Sequence, residues 1–214
     1  MTKRELFVVV ADLDAENVIK TLLSQRQPAL GINLDFNANP APHGDLLRYS
    51  GRDSGCYGKA ADVLRSPRET HKHAMLLLDR HGSGAESRPR EDIEEELEKK
   101  LRQNGGGEDN ICVIVFDPEL EAWVWAGSRH VSDVLGWSND PEQLRQYLNA
   151  KGLWPPENSK PPRPKEAMEE ALRKKKAGAP APLFAKLASH VSLERCHDPA
   201  FAKFKTALRR WFGE

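Results

Sequence analysis

Residues 111–126, ICVIVFDPELEAWVWA, restrict the fold of this chain more than any other stretch. Ile111, Val113, Ile114, Val115 and Phe116 form an unbroken β-branched and aromatic run. Such a run suits a strand covered on both faces, as in a parallel sheet. Parallel sheets carry their chemistry at the carboxyl ends of the strands. Here that end leads at once into Asp117, Pro118, Glu119 and Glu121. Pro118 has no N–H to lose and a φ preset for a first helical turn, so Asp117 is the expected N-cap. Glu119 and Glu121 then fall in a first turn that favours carboxylates. The same residues also admit a purely structural account, in which Asp117 caps, Glu119 is solvated, Glu121 pairs with a Lys or Arg, and Trp123 and Trp125 pack.

Two further acidic corners of this kind exist. Residues 5–10 form a short apolar strand ending at Ala11-Asp12, and the helix after it sets Val18, Ile19, Leu22 and Leu23 on one stripe. Asp14 is its expected N-cap, with Glu16 in the first turn. Residues 73–78 supply another strand, running into Asp79-Arg80-His81-Gly82-Ser83-Gly84. On an extended chain Asp79 and His81 point to the same side, and an Asp/His pair suits a borderline divalent metal such as Mn²⁺ or Zn²⁺. A lone His after a strand is also common as a surface or capping residue. The glycines beside it are as readily flexible turn residues as a phosphate approach.

Between these corners, Leu30, Ile32, Leu34 and Phe36 alternate with small or polar residues, the period of a half-buried strand. Residues 37–58 are rich in Asn, Pro, Gly and Asp and read as a long loop, a flap over the crevice. GCYGKA fails as a phosphate-binding loop, because Asp53 stands where the first glycine belongs and Ala60 replaces the hydroxyl. Residues 59–65 read as a short helix stopped before Pro67. Residues 89–102 read as a charged helix buried only along Ile93, Leu97 and Leu101, its glutamates in solvent.

Alternation of strands and helices through residue 126 predicts an α/β core with a mostly parallel sheet flanked by helices. Residues 127–214 contain no strand signal and read as a C-terminal helical extension packed on that core. Its helices are expected over residues 141–151, 165–176, 183–190 and 200–212, with a proline-rich connector at 153–164. At 214 residues the chain can bury a sizeable core. No apolar run is long enough to span a bilayer and no signal-peptide pattern opens the sequence, so a cytoplasmic protein without membrane contact is expected. Cys56, Cys112 and Cys196 lack CxxC spacing and are expected as buried thiols. The zero net charge is divided: residues 1–140 hold 17 basic against 24 acidic side chains, and residues 141–214 hold 15 against 8. That division fits a cation-binding core with a polyanion-facing tail, or two faces that attract each other. Arg173, Lys174, Lys175 and Lys176 are candidate phosphate contacts, although basic residues at a helix C-terminus also answer the helix dipole.

DPELEAWVW resembles a family of small Toprim-like proteins found beside bacterial anti-phage genes. VVVADLDAE, HAMLLLDRHGSGAE, KPPRPKEAMEEAL and LASHVSLERCHDPAFAKF extend the resemblance over most of the chain, toward the methylation-associated defence system. The resemblance implies a Toprim-like sheet and an anti-phage role alongside other defence-system proteins. Toprim nucleases and topoisomerases bind Mg²⁺ through a Glu after the first strand and an Asp-x-Asp after a later one. Carried over, Asp79 matches the first Asp, His81 stands at the second, and Glu121 matches the Glu before Trp in the wider family. The first-strand Glu falls at Ala11, with Asp12 beside it. The expected site is therefore Asp12, Asp79 and Glu121 as ligands of Mg²⁺ or Mn²⁺, with His81 and Glu121 as catalytic residues and His81 as ligand or general base. The imidazole weakens a hard-cation preference. The reading thus divides between a metal-dependent nuclease or phosphodiesterase acting on nucleic acid and a catalytically inactive subunit that serves as a docking platform.

Overall fold

Three of the apolar runs become neighbouring parallel strands. A computed structural model describes residues 3–65, 67–103, 109–125, 128–138, 140–175 and 183–213. Its first half contains β1 (Arg4–Val10), α1 (Leu13–Gln25), α2 (Gln27–Leu30), β2 (Leu46–Arg48), α3 (Arg52–Val63), α4 (Pro67–Thr70), β3 (His71–Asp79), α5 (Arg90–Gln103) and β4 (Ile111–Phe116). There follow α6 (Glu121–Val124), α7 (Arg129–Val134), α8 (Pro141–Ala150), α9 (Pro164–Lys174), α10 (Leu183–His190) and α11 (Pro199–Phe212). The sheet has four parallel strands in the order β2-β1-β3-β4.

Both faces are covered, which is why the strands read as unbroken apolar runs rather than alternating ones. Leu6, Val8, Val10, Met75, Leu77, Ile114 and Phe116 face α1 and the C-terminal helices in one cluster, while Phe7, Val9, Leu76, Leu78, Val113 and Val115 face α3 and α5 in another. Trp123 seals the first cluster, its ring against Phe116, Phe201 and Phe204. The three cysteines are free and buried. Among the described residues no strand follows β4, and no helix is long and apolar enough to cross a membrane.

The expected strand at 30–36 does not form. Residue Leu30 ends α2, and Gln27 satisfies the chain beyond it, its side chain accepting the Leu34 N–H at 2.7 Å and donating to the Leu34 carbonyl at 2.8 Å. One side-chain amide thus does locally what a strand partner would do. The third neighbour of the sheet lies instead inside the expected loop, where Leu46 aligns with Val8. One more expectation changes beside it. The helix expected at 59–65 begins at Arg52 and bends at Lys59, and Gly55 within it is needed because a Cβ there would stand 2.9 Å from the Tyr49 ring.

The glutamates of α5 are not all solvated. Glu94 is 3% exposed. It pairs with Arg90 and Lys203 and accepts the Val115 N–H at 2.9 Å, while Glu98 accepts the Val113 N–H at 3.0 Å. Buried carboxylates persist only with such partners. At the opposite, amino-terminal edge of the sheet, Asp45 is buried and bonds to Arg4, His71 and the Asn37 N–H.

Candidate active site

Register decides where the acidic corners meet. Val10 stands opposite Leu77, so continuing the register brings Asp12 level with Asp79, which itself pairs with Phe116. Asp12, Asp53, Asp79, Glu119, His81, Arg52 and Lys165 line one cleft of about 510 Å³ there. Glu121 lies behind this wall, 6% exposed.

Asp12, rather than Asp14, caps α1, its Oδ1 accepting the Ala15 N–H at 2.8 Å. The chain turns at the first side chain able to meet a free amide, one residue after Ala11. Asp79 closes β3; its N–H donates to Asp53 Oδ1 at 2.7 Å, and its Oδ1 accepts the Leu120 N–H at 3.0 Å. The corner after β4 also differs from expectation. Asp117 does not cap a helix, because its carboxylate is spent on Arg80 at 2.8 Å, and α6 starts only at Glu121. The peptide between Asp117 and Pro118 is cis.

The two loops are laced residue by residue. Arg80 donates its N–H to the Phe116 carbonyl, His81 donates its own to the Pro118 carbonyl at 3.0 Å, and the His81 ring meets Glu119. Glu119 is 8% exposed, so it is not the solvated residue of the sequence reading. Beyond His81, the amides of Gly82 and Gly84 both donate to Glu86 Oε1. Those glycine amides are therefore occupied by the chain's own carboxylate.

Burial governs the electrostatics, and neighbouring charges add to it. Burial, then the charges of Asp53, Asp12 and Glu121, pushes the Asp79 carboxyl well above the usual carboxylate range. Burial also raises Asp53, and raises Glu121 to about 7. Lys165 carries the compensating charge. Partial burial opposes its ammonium, but the fields of Glu121, Glu119, Asp79 and Asp12 hold its pKa above the ordinary value. It reaches the cleft from the first turn of α9, and among the described residues it makes no direct ion pair.

The structure thus gathers Asp12, Asp79 and His81 on one cleft, with Glu121 beneath. It adds Asp53, Glu119, Arg52 and Lys165, which sequence reasoning had not assigned to the site. As placed, however, no three His, Cys, Asp or Glu side chains among the described residues are grouped to hold a metal ion. The basic run lies elsewhere. Arg173 sits about 12 Å along α9 from Lys165 at the helical rise. It pairs with Glu170, while Lys174 lies over the Tyr147 ring and Lys175 over Trp137. Lys176 falls outside the described residues.

No protein-family model, no curated protein and no solved structure matches this chain. The fold and cleft define an α/β protein with a four-stranded, all-parallel sheet flanked by helices and an acidic crevice at its carboxyl edge.

Proposed function

We propose that the chain is a Toprim-like subunit of an anti-phage defence system, resembling the fourth component of the methylation-associated system, and that it cleaves phosphodiester bonds in nucleic acid with the help of Mg²⁺ or Mn²⁺. One observation carries the reading: carboxylates at the ends of neighbouring parallel strands converge on one cleft, where burial and then the charges of Asp53, Asp12 and Glu121 push the Asp79 carboxyl up. A cation relieves that repulsion.

The donor type suits such an ion, while the described side chains as placed are not grouped around one. Asp12, Asp79 and Glu121 offer hard oxygen atoms. Asp12 and Asp79 each commit Oδ1 to a backbone amide, which leaves Oδ2 for a ligand. Asp12 and Asp79 would hold a divalent ion, which would supply charge neutralisation at a phosphoryl oxygen and a more acidic water. His81, at the mouth of the cleft, accepts the proton of the attacking water or adds a nitrogen donor. Arg52 and Lys165 bring positive charge to the anionic ester, and Arg173, Lys174 and Lys175 extend it along α9.

Lys165 supports a second reading. A built-in ammonium compensates the carboxylates without a metal, as expected of a catalytically inactive subunit that docks defence proteins or nucleic acid.

Calorimetric titration with Mn²⁺ and Mg²⁺ separates the two. The first reading expects binding to the wild type that disappears in Asp79→Ala and Glu121→Ala while circular dichroism stays unchanged. Absence of binding at millimolar metal to a folded wild type leaves the docking platform.

A further inference from the structure

We infer that two adjoining cavities among α1, α7, α8 and α10 form a binding site for a nucleoside phosphate: Arg26, Arg195, His130 and His190 take the phosphate, and the walls around Trp125 and Trp154 take the base. The site is separate from the acidic cleft and does not rest on the function proposed above. Asp12, on the cleft, and Arg26 cap opposite ends of α1, about 20 Å apart at the helical rise.

The anionic half begins with Arg26. Its Nη1 donates to the Ala188 carbonyl at 2.8 Å and its Nη2 to the Val191 carbonyl at 3.2 Å, so the guanidinium is fixed where α10 ends. These bonds use part of the guanidinium's donor set and leave the rest for a ligand. Arg26 lines a cavity of about 530 Å³ with Arg195, His130, His190 and Ser192, and among the described residues Glu194 is the only acid in its wall. Arg195 is exposed, and no described carboxylate pairs with it. The two imidazoles stand with ring centroids 5.9 Å apart. His190 Nδ1 lies 3.0 Å from the Lys186 carbonyl, which only accepts, so Nε2 is the nitrogen left for a ligand. The histidines do not make a metal site, since no three His, Cys, Asp or Glu side chains among the described residues are grouped to hold an ion. Two guanidiniums and two imidazoles against one carboxylate attract an oxyanion, whose charge favours the imidazolium form in which every ring nitrogen donates.

Ser128, which is buried, stands in the wall of this cavity and of a second one. The second measures about 270 Å³, and Trp125, Val131, Leu144 and Trp154 supply its apolar walls. Both indole N–H groups are already spent, on the Pro164 carbonyl at 3.0 Å and the Asn158 carbonyl at 2.9 Å, so the rings offer the cavity only carbon. Arg145 lies over the Trp154 ring, 4.8 Å from its centroid, while Glu142 and Ser159 bring exposed polar groups. Aromatic and aliphatic walls with a few polar groups suit a flat heteroaromatic ring. A sugar phosphate fits less well, because its hydroxyls would lose water against those walls without gaining partners. An oxyanion on one side of Ser128 and a heteroaromatic ring on the other make up a nucleotide.

Isothermal titration in EDTA tests this without any metal at the acidic cleft. The probes are the common ribonucleoside 5′-monophosphates, the matching nucleosides and inorganic phosphate. At least one monophosphate is expected to bind about 10-fold tighter than both its nucleoside and phosphate, since each half of the ligand adds its own contacts. Arg195→Ala, at an exposed position, and His130→Ala should each weaken that binding by about 10-fold, the loss of a charge-assisted hydrogen bond. Arg195→Lys keeps the charge and should fall in between. Ser159→Trp fills the second cavity from an exposed position; it should remove the monophosphate's advantage and leave phosphate binding as it was. Circular dichroism unchanged from the wild type establishes that each variant is folded. No binding of any probe at millimolar concentration, or binding unchanged in both Arg195→Ala and His130→Ala, overturns the site. Monophosphates that bind no tighter than phosphate, or no tighter than their nucleosides, overturn the nucleotide assignment. A monophosphate advantage that survives in folded Ser159→Trp overturns the placement of the base.

Discussion

Trp125 donates its indole N–H to the Pro164 carbonyl at 3.0 Å, and the next residue, Lys165, is thereby held over the acidic cleft. The tryptophans after β4 therefore do more than pack. Trp123 bonds to Asp198, the N-cap of α11, and Lys160 bridges Asp198 and the Ala122 carbonyl, so α6 is tied to the start of α11 once directly and once through Lys160.

Trp125→Phe keeps an apolar ring and removes the donor. It is expected to cost about 1–2 kcal/mol in urea denaturation, the range for leaving a buried acceptor unpaired. Lys165→Met should strengthen Mn²⁺ binding about 3- to 10-fold, because a positive charge no longer opposes the ion in a partly solvated cleft. Equal or weaker binding by the Met variant would show that Lys165 does not compete for the cleft.

Glu121 gives the protein a pH signature. Its folded pKa lies near 7, above the ordinary 4.5, with burial the main cause. The folded state therefore favours the proton. The stability this group contributes is fully present below its unfolded pKa and is lost as pH rises through the folded value. Asp79 acts in the same direction. Glu121→Gln should accordingly gain on the wild type between about pH 5 and about pH 8, by on the order of 1–3 kcal/mol. Thermal melts of both proteins across that window in EDTA check this, and parallel curves would contradict it.

Asp45 anchors the other end of the sheet. Its carboxylate takes Arg4 at 2.9 Å, His71 Nε2 at 2.9 Å and the Asn37 N–H at 2.7 Å. Removing it in Asp45→Ala takes away the buried carboxylate that faces His71, Arg4 and the Asn37 N–H and should cost about 2–4 kcal/mol. Amides of residues 37–48 should then exchange faster, while Mn²⁺ affinity stays the same because the cleft lies at the opposite strand ends. Unchanged exchange would mean that β2 pairing alone holds this segment.

Strands β1, β3 and β4 were legible because burial on both faces leaves an unbroken apolar signature. β2 was not, since three residues, Leu46–Arg48, carry no period, and the alternating pattern nearby belongs to a segment satisfied by Gln27. The start of α3 was hidden by Gly55 and Gly58, so Asp53 was read as a loop residue and missed as a wall of the cleft. Asp12, Asp79 and His81 could be found because each ends or closely follows a strand. Glu119 and Lys165 could not: the burial of one depends on the fit between two loops, and the position of the other on a hydrogen bond from a tryptophan 40 residues earlier. For Lys165 the only local sign was Pro164, suited to a helical first turn.

β4 ends the sheet, yet it does not present a bare row of amides. The N–H groups of Val113 and Val115 are already taken by Glu98 and Glu94, and Lys203 of α11 holds both carboxylates in place. An incoming extended chain finds no donors to template on at those positions, the opening through which sheets otherwise recruit copies of themselves. The chain can thus keep a strongly apolar strand as its outermost one without offering it to a growing fibre. Whatever assembles with this protein on that side meets side chains of α5 and α11 before it meets the backbone of the sheet.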